Sequence, residues 1–315
     1  MIEVKSVTKR FGPTVAVNNL SFEVKTGEVL GFLGPNGAGK TTMMRIITCY
    51  MPATDGTVTV AGHDTLTDSF EVRRHIGYLP ESAPLYLDMD VTDYLSFVAQ
   101  VRDIAPNERH EKIGRIAEVC GLEDVMRKDI GTLSKGFKQR VGLAQAMIHN
   151  PDILILDEPT TGLDPAQIIE MRELIKRIGR EKTVILCSHI LPEVSATCDR
   201  ILIINEGKKV ASGTPDELAA ATDGGVTMQA KIYGPEAQVR EKIEGMKRVI
   251  GCRVLESPPD GPVTFVLKAK PNGDLGHDVF KMVVENGFSL SELRTERISL
   301  EDVFLQLTTK ERSGK

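Results

Sequence analysis

The segment Gly34-Pro35-Asn36-Gly37-Ala38-Gly39-Lys40-Thr41 constrains this chain more than any other feature. It matches G-x-x-x-x-G-K-[ST] and sits in a matching setting. Before it, residues 22–33 (FEVKTGEVLGFL) read as two short strands around a Lys-Thr-Gly turn. After it, Thr41 and Thr42 open a helical run, TTMMRIITCYM. Glycines let the backbone curl so that successive N–H groups face phosphate oxygens. The helix presents its positive end to the same anions. Lys40 supplies a mobile cation for the β- and γ-phosphates, and the Thr41 hydroxyl suits Mg²⁺. Residues 34–42 are therefore the candidate nucleotide-phosphate site.

A metal at such a site needs an acidic partner. Ile153-Leu154-Ile155-Leu156-Asp157-Glu158-Pro159 offers one. Four apolar residues predict a buried strand that delivers two carboxylates at its carboxyl end, where ligands sit in open α/β sheets. Asp157 suits a Mg²⁺ contact, and Glu158 suits polarising a water for attack on the γ-phosphate.

The runs at 153–156 (ILIL) and 183–187 (TVILC) fit strands buried on both faces, as in a parallel sheet covered by helices. Between residues 88 and 150 the pattern turns helical: Val91, Leu95, Val98 and Val101 recur at helical spacing, as do Ile113, Ile116 and Val119. This predicts a helical insertion on an α/β core spanning residues 1–218. The texture changes near residue 219 with the linker-like AAATDGG. Beyond it, Val226, Met228, Ala230 and Ile232 alternate with polar residues as one strand. A helix on Val239, Ile243 and Met246 follows, then a hairpin (251–256, 263–268) around Pro258-Pro259-Asp260-Gly261. A helix on Leu275, Val279 and Met282, a strand near 288–294 and a last helix on Leu300, Val303, Phe304 and Leu307 complete the series. The order β-α-β-β-α-β-α predicts a small ferredoxin-like α+β domain over residues 219–315.

Leu133-Ser134-Lys135-Gly136-Phe137, running into Lys138-Gln139-Arg140-Val141-Gly142-Leu143-Ala144, lies about one helix before the acidic strand. This arrangement resembles the signature segment of ATP-binding-cassette (ABC) ATPases, and the resemblance covers roughly residues 2–218. It implies further assignments. Phe11 looks like the aromatic that stacks on adenine. Thr161-Gly162-Leu163-Asp164 looks like the D-loop. His189 looks like the switch histidine at the γ-phosphate. Ser134 and Gly136 would reach a γ-phosphate bound by another copy or a paralogous cassette, so that two ATP molecules are sandwiched head to tail. Catalysis would then rest on Glu158, His189 and Lys40, and Mg²⁺ on Thr41, Asp157 and Glu81. Two positions depart from the common pattern. Glu81 stands where the family usually has glutamine, as a Mg²⁺ ligand or a surface acid. Lys135 and Phe137 replace glycine and glutamine, and Lys135 either adds charge near the triphosphate or is solvated.

The variant signature, Glu81 and Ser299-Leu300-Glu301-Asp302-Val303-Phe304-Leu305 resemble ATPase subunits of type-2 exporters and gliding-motility machines. In these a separate polytopic membrane subunit carries the substrate path. Ser82-Ala83-Pro84-Leu85-Tyr86-Leu87 would either grip that subunit or pack within the domain. Export is the implied task; mechanical or regulatory work on a membrane complex is the alternative. A soluble ABC machine on ribosomes or DNA is disfavoured by the single cassette, by the lack of a long coiled coil or zinc module, and by a net charge of −5. No nucleic-acid partner is expected. No apolar run approaches the roughly 18 residues of a span, and MIEVKSVTKR lacks the apolar core of a signal peptide. Five scattered cysteines without a C-x-x-C pair fit a reducing cytosol. The expected location is therefore the cytoplasmic face of a membrane, through the partner.

Overall fold

The computed structural model describes residues 1–221, 226–258, 261–269 and 274–296. The chain divides into two compact units, Met1–Pro215 and Asp216–Lys315.

In the first unit, β1 (Ile2–Phe11), β2 (Thr14–Val24), β4 (Asp55–Val60) and β5 (His63–Asp64) form an antiparallel sheet in the order β2-β1-β4-β5. A second sheet holds β3 (Val29–Leu33), β6 (Ile76–Leu79), β7 (Ile153–Asp157), β8 (Thr183–Ser188), β9 (Arg200–Asn205) and β10 (Lys208–Gly213), in the order β10-β9-β3-β8-β7-β6. All its pairs are parallel except β9 with β10. Every residue of β3, β7 and β8 is buried, which is why these strands read as unbroken apolar runs. Helix α1 (Lys40–Ile47) buries Met43, Met44, Ile46 and Ile47 in one core with Val4 and Leu20 of the antiparallel sheet and Phe32 and Ile155 of the parallel one. Burying four such side chains contributes on the order of 1.5–3 kcal/mol each, so the helix that carries the phosphate loop is anchored on both sides.

Helix α2 (Ser69–His75) leads into β6. The helical insertion consists of α3 (Val91–Val101), α4 (Pro106–Cys120) and α5 (Lys135–Met147). Asp90 caps α3, Pro106 opens α4, and Gly121 closes it at φ +64°. Val91, Leu95 and Val98 are buried, and Val101, on the same helix as expected, is 64% exposed. Ten residues at 100° each place it about 80° off the Val91 face. In α4 the buried partner of Ile116 is Cys120 rather than Val119. The unit ends through α6 (Pro165–Gly179) and α7 (Leu191–Thr197), and α8 (Pro215–Ala221) begins at the boundary. Ala219–Ala221, expected as the start of a linker, complete α8; alanine is the strongest helix former.

The second unit runs β11 (Val226–Tyr233), α9 (Glu236–Glu244), β12 (Val249–Glu256), β13 (Val263–Ala269), α10 (Leu275–Glu285) and β14 (Ser289–Glu296). Its sheet is antiparallel in the order β12-β13-β11-β14, the split β-α-β arrangement of a ferredoxin-like fold. Met228, Ala230 and Ile232 pack with Phe265, Val239 and Val279 in its own core. The last expected helix, on Leu300, Val303, Phe304 and Leu307, lies outside the described residues. No helix among the described residues is long and apolar enough to cross a membrane.

Candidate nucleotide-binding and hydrolysis site

The phosphate loop runs from the end of β3 to the start of α1. Gly37 at φ +81° and Gly39 at φ +100° occupy left-handed backbone that other residues rarely adopt. A Cβ on Gly39 would strike the Ala16 carbonyl, and one on Gly34 would come 2.6 Å from the Ile204 carbonyl. No side chain caps the N-terminus of α1, so its first amides stay available to an anion. Ala38 is buried beneath the loop, and the Pro35 carbonyl accepts from the Ala38 amide at 3.1 Å.

Lys40 is 6% exposed; its Nζ donates to the Gly34 carbonyl at 2.8 Å and lies 3.5 Å from Glu158 Oε1. Glu158, the residue after β7, is 6% exposed and holds a left-handed φ of +50°. Its Oε2 lies 2.9 Å from His189 Nδ1. These two residues come together because β7 and β8 are parallel neighbours, with Asp157 opposite Cys187. Asp157 is fully buried, and neither carboxylate oxygen has a hydrogen-bond partner of good geometry. Burial pushes its carboxyl above the usual aspartate range. The Thr41 hydroxyl opposes that shift, Glu158 and Glu81 add to it, and Lys40 lowers it.

A cavity of about 450 Å³ gathers Asn36, Gly37, Gly39, Lys40, Thr41 and Thr42 with Glu81, Glu158 and His189. All lie past the carboxyl ends of parallel strands, on the loop after β3 or in the first turn of α1. Ala16 and Thr161 also line it. Nothing in residue type marks Ala16; it arrives because β2 folds back over the loop.

Other expected residues lie elsewhere. Ser134 and Gly136 line a separate cavity of about 250 Å³ with Leu163 and Gln167. Ser134 caps α5, accepting from the Phe137 amide at 3.3 Å, and Asp164 caps α6, accepting from the Gln167 amide at 2.9 Å. Phe11 is half-exposed at the β1–β2 turn, with Lys9 Nζ 5.3 Å from its ring centre. Lys135 is exposed, and its Nζ lies against Gly162, where a Cβ would collide with it. Cys187, read as a core residue, is fully buried.

A larger groove of about 850 Å³ is lined by Phe70, Tyr86 and Phe97 together with Arg73, Arg74 and Arg102. Tyr86 packs on Tyr94 and Phe97, with ring centres 6.0 and 5.5 Å apart. Tyr78 of β6 lines this groove, and Glu81, three residues on, lines the phosphate cavity.

Comparison with known proteins agrees with this geometry. Residues 17–161 match the ABC transporter family model. An uncharacterized ABC transporter ATP-binding protein of Bacillus subtilis is 32% identical over 98% of this chain and 99% of its own length. The Nod factor export ATP-binding protein I of Burkholderia orbicola is 32% identical over 98% of this chain and 97% of its own. The bacitracin transport ATP-binding protein of Bacillus licheniformis gives the same 32%, over 98% and 97%. Among solved structures, a dimeric ATP-binding cassette in a post-hydrolysis state with ADP and Pi is 27% identical, with a TM-score of 0.62 over 68% of this chain and 98% of that one.

Proposed function

The chain belongs to the family of ABC transporter ATP-binding subunits, which are nucleotide-binding ATPases, and from that membership we propose that it hydrolyses ATP between two head-to-tail copies and thereby drives a separate membrane subunit. The division of the candidate residues between two cavities of one unit carries this reading. The phosphate loop, Glu81, Glu158 and His189 share one cavity, while Ser134 and Gly136 line another. Head-to-tail pairing lets the second set complete the first set of a neighbouring copy.

The chemistry follows from the residues in place. The loop amides and Lys40 bind the β- and γ-phosphates, and Phe11 offers a ring face to the adenine. Glu158 accepts the proton of the attacking water, and His189 orients that carboxylate while facing the γ-phosphate. The unpartnered oxygens of buried Asp157, with the Thr41 hydroxyl and the Glu81 carboxylate, form a hard oxygen set that fits Mg²⁺. When bound, the ion would neutralise phosphate charge. Asp164, capping α6, and Gly162, covered by Lys135, shape the loop that faces the partner copy. ATP stabilises the closed pair and phosphate release opens it.

The aromatic and arginine groove is the docking site for the membrane subunit. A helix with apolar residues and carboxylates on one face complements it. The segment from Tyr78 to Glu81 touches both cavities and is the route by which nucleotide state reaches that surface. Relatives named for Nod factor export and bacitracin transport support export as the task, on the cytoplasmic face of the membrane.

The test is an affinity pull-down from detergent-solubilised native membranes with Glu158→Gln, ATP and Mg²⁺. A polytopic membrane protein recovered at about one-to-one stoichiometry supports the reading. Recovery of ribosomes, nucleic acid or only the homodimer overturns it.

A further inference from the structure

Glu158 and His189 approach each other from two different loops, and neither loop is held by regular secondary structure at that point. The contact that joins the loops lies behind them. Glu193, in the first turn of α7, is 5% exposed. Thr160, two residues after Glu158, donates its hydroxyl to Glu193 Oε2 at 2.6 Å. Ser188, the residue before His189, donates to the same oxygen at 3.3 Å. Ser188 Oγ in turn accepts from the Ile190 amide at 3.0 Å, just past His189. Thr160 and Ser188 are 4% and 0% exposed, so these bonds form away from water.

A buried carboxylate needs hydrogen bonds or a cation. Among the described residues Glu193 has no ion pair and takes its bonds from these two hydroxyls. It has a strong reason to hold both, since charge-assisted bonds are about twice as strong as neutral ones. Glu158 gains most from this. Its φ of +50° is unfavourable for a residue with a side chain. Among the described residues its backbone is otherwise tied by its amide to the Cys187 carbonyl at 2.9 Å and by its carbonyl to the Thr161 amide at 3.2 Å.

We propose that Glu193 is a positioning residue for ATP hydrolysis, a buried clamp that draws Thr160 and Ser188 onto one oxygen and so fixes Glu158 and His189 relative to each other. It is buried and does not line the phosphate cavity. The proposal rests on the hydrolytic roles given above to Glu158 and His189.

The experiment measures steady-state ATP turnover of the full chain across ATP concentration and pH. It compares Thr160→Val, Thr160→Ser, Glu193→Gln and Glu158→Gln with wild type, normalised to folded protein. Thr160→Val keeps the side-chain shape and removes only the hydroxyl, so it stays informative if Glu193 variants fold poorly. Misplacing reacting groups lowers kcat rather than binding. Thr160→Val and Glu193→Gln are expected to lower kcat about tenfold with KM for ATP changed less than about threefold, and to displace the pH profile of kcat. Thr160→Ser, which keeps the hydroxyl, should restore most of the rate. A kcat within about twofold of wild type for Thr160→Val, with Glu158→Gln inactive, overturns the clamp and leaves the role of Glu158 standing. Wild-type turnover by Glu158→Gln overturns the reading on which the clamp rests.

Discussion

His189 Nδ1 lies 2.9 Å from Glu158 Oε2, while the other Glu158 oxygen lies 3.5 Å from Lys40 Nζ. The carboxylate is thus held between an imidazole and an ammonium at the wall of the phosphate cavity. It can take a proton from water without leaving that position. Glu158→Gln keeps the shape and loses the proposed base. ATP binding should stay within about threefold of wild type while turnover falls by at least about a hundredfold. The variant should elute as a dimer in ATP and Mg²⁺, checked by phosphate release and size-exclusion chromatography.

Asp157 stands at odds with stability. Its folded-state pKa is raised, mainly by burial. The folded chain therefore binds that proton more tightly than the unfolded chain does. This group's contribution to stability falls as pH rises from the unfolded value of 3.8 through the folded one. Asp157→Asn removes the buried charge. At pH 7 the unfolding midpoint of the first unit should rise by about 2–4 °C while Mg²⁺-dependent turnover is lost. In wild type the Mg²⁺ concentration for half-maximal turnover should rise as pH is lowered through the folded-state pKa of Asp157. Calorimetry and Mg²⁺ titrations check the two parts.

At Gly136 the fold and the proposed assembly can be tested apart. A Cβ there would come 2.8 Å from the Gln167 side-chain amide, the mobile end of a flexible residue. Gly136→Ala should leave stability within about 0.5 kcal/mol and ATP binding intact, while turnover drops because the displaced Gln167 side chain reshapes the cavity it shares with Ser134, which the proposed pairing turns to the neighbouring copy. Gly39→Ala should differ. Its Cβ meets the Ala16 carbonyl at a φ of +100°, so ATP binding itself should be lost. Equilibrium binding beside turnover distinguishes the two.

Arg200 grips Glu28 with two prongs, Nε to Oε1 at 2.6 Å and Nη2 to Oε2 at 3.1 Å, tying the approach to β3 to the start of β9. Burial works to raise the Glu28 pKa, but the Arg200 bond and charge and the Lys25 amide outweigh it and hold the carboxyl below its ordinary value. Its stabilisation is therefore complete above that ordinary value and is lost as pH falls through the folded one. Glu28→Gln should cost about 1–2 kcal/mol at pH 7, a modest figure because Arg200 keeps some contact with water. The difference from wild type should shrink towards about pH 3 in urea titrations.

The phosphate loop, the acidic strand and the signature segment were legible in the residues because each is a local device. A glycine pattern, an apolar run ending in carboxylates and a capped helix need only their own neighbours. The second unit was legible for the same reason. Its alternating strands and periodic helices already imply a split β-α-β order, and the sheet order β12-β13-β11-β14 agrees. Spacing put Val101 on a helix, where the structure has it, but apolar residues three or four apart do not reveal drift around the helix, and its side chain is exposed.

By itself the sequence determined which chemistry the chain carries and which strands are buried on both faces, since both follow from residue type and short-range spacing. Only the tertiary structure decided which of those residues meet. It placed Glu158 against His189, left Ser134 in a cavity of its own, set Lys135 on Gly162 and brought Glu193 to Thr160. Those pairings depend on strand order and on loops closing over long stretches of chain, and a carboxylate has no local signal for the hydroxyl it will find when the sheet assembles.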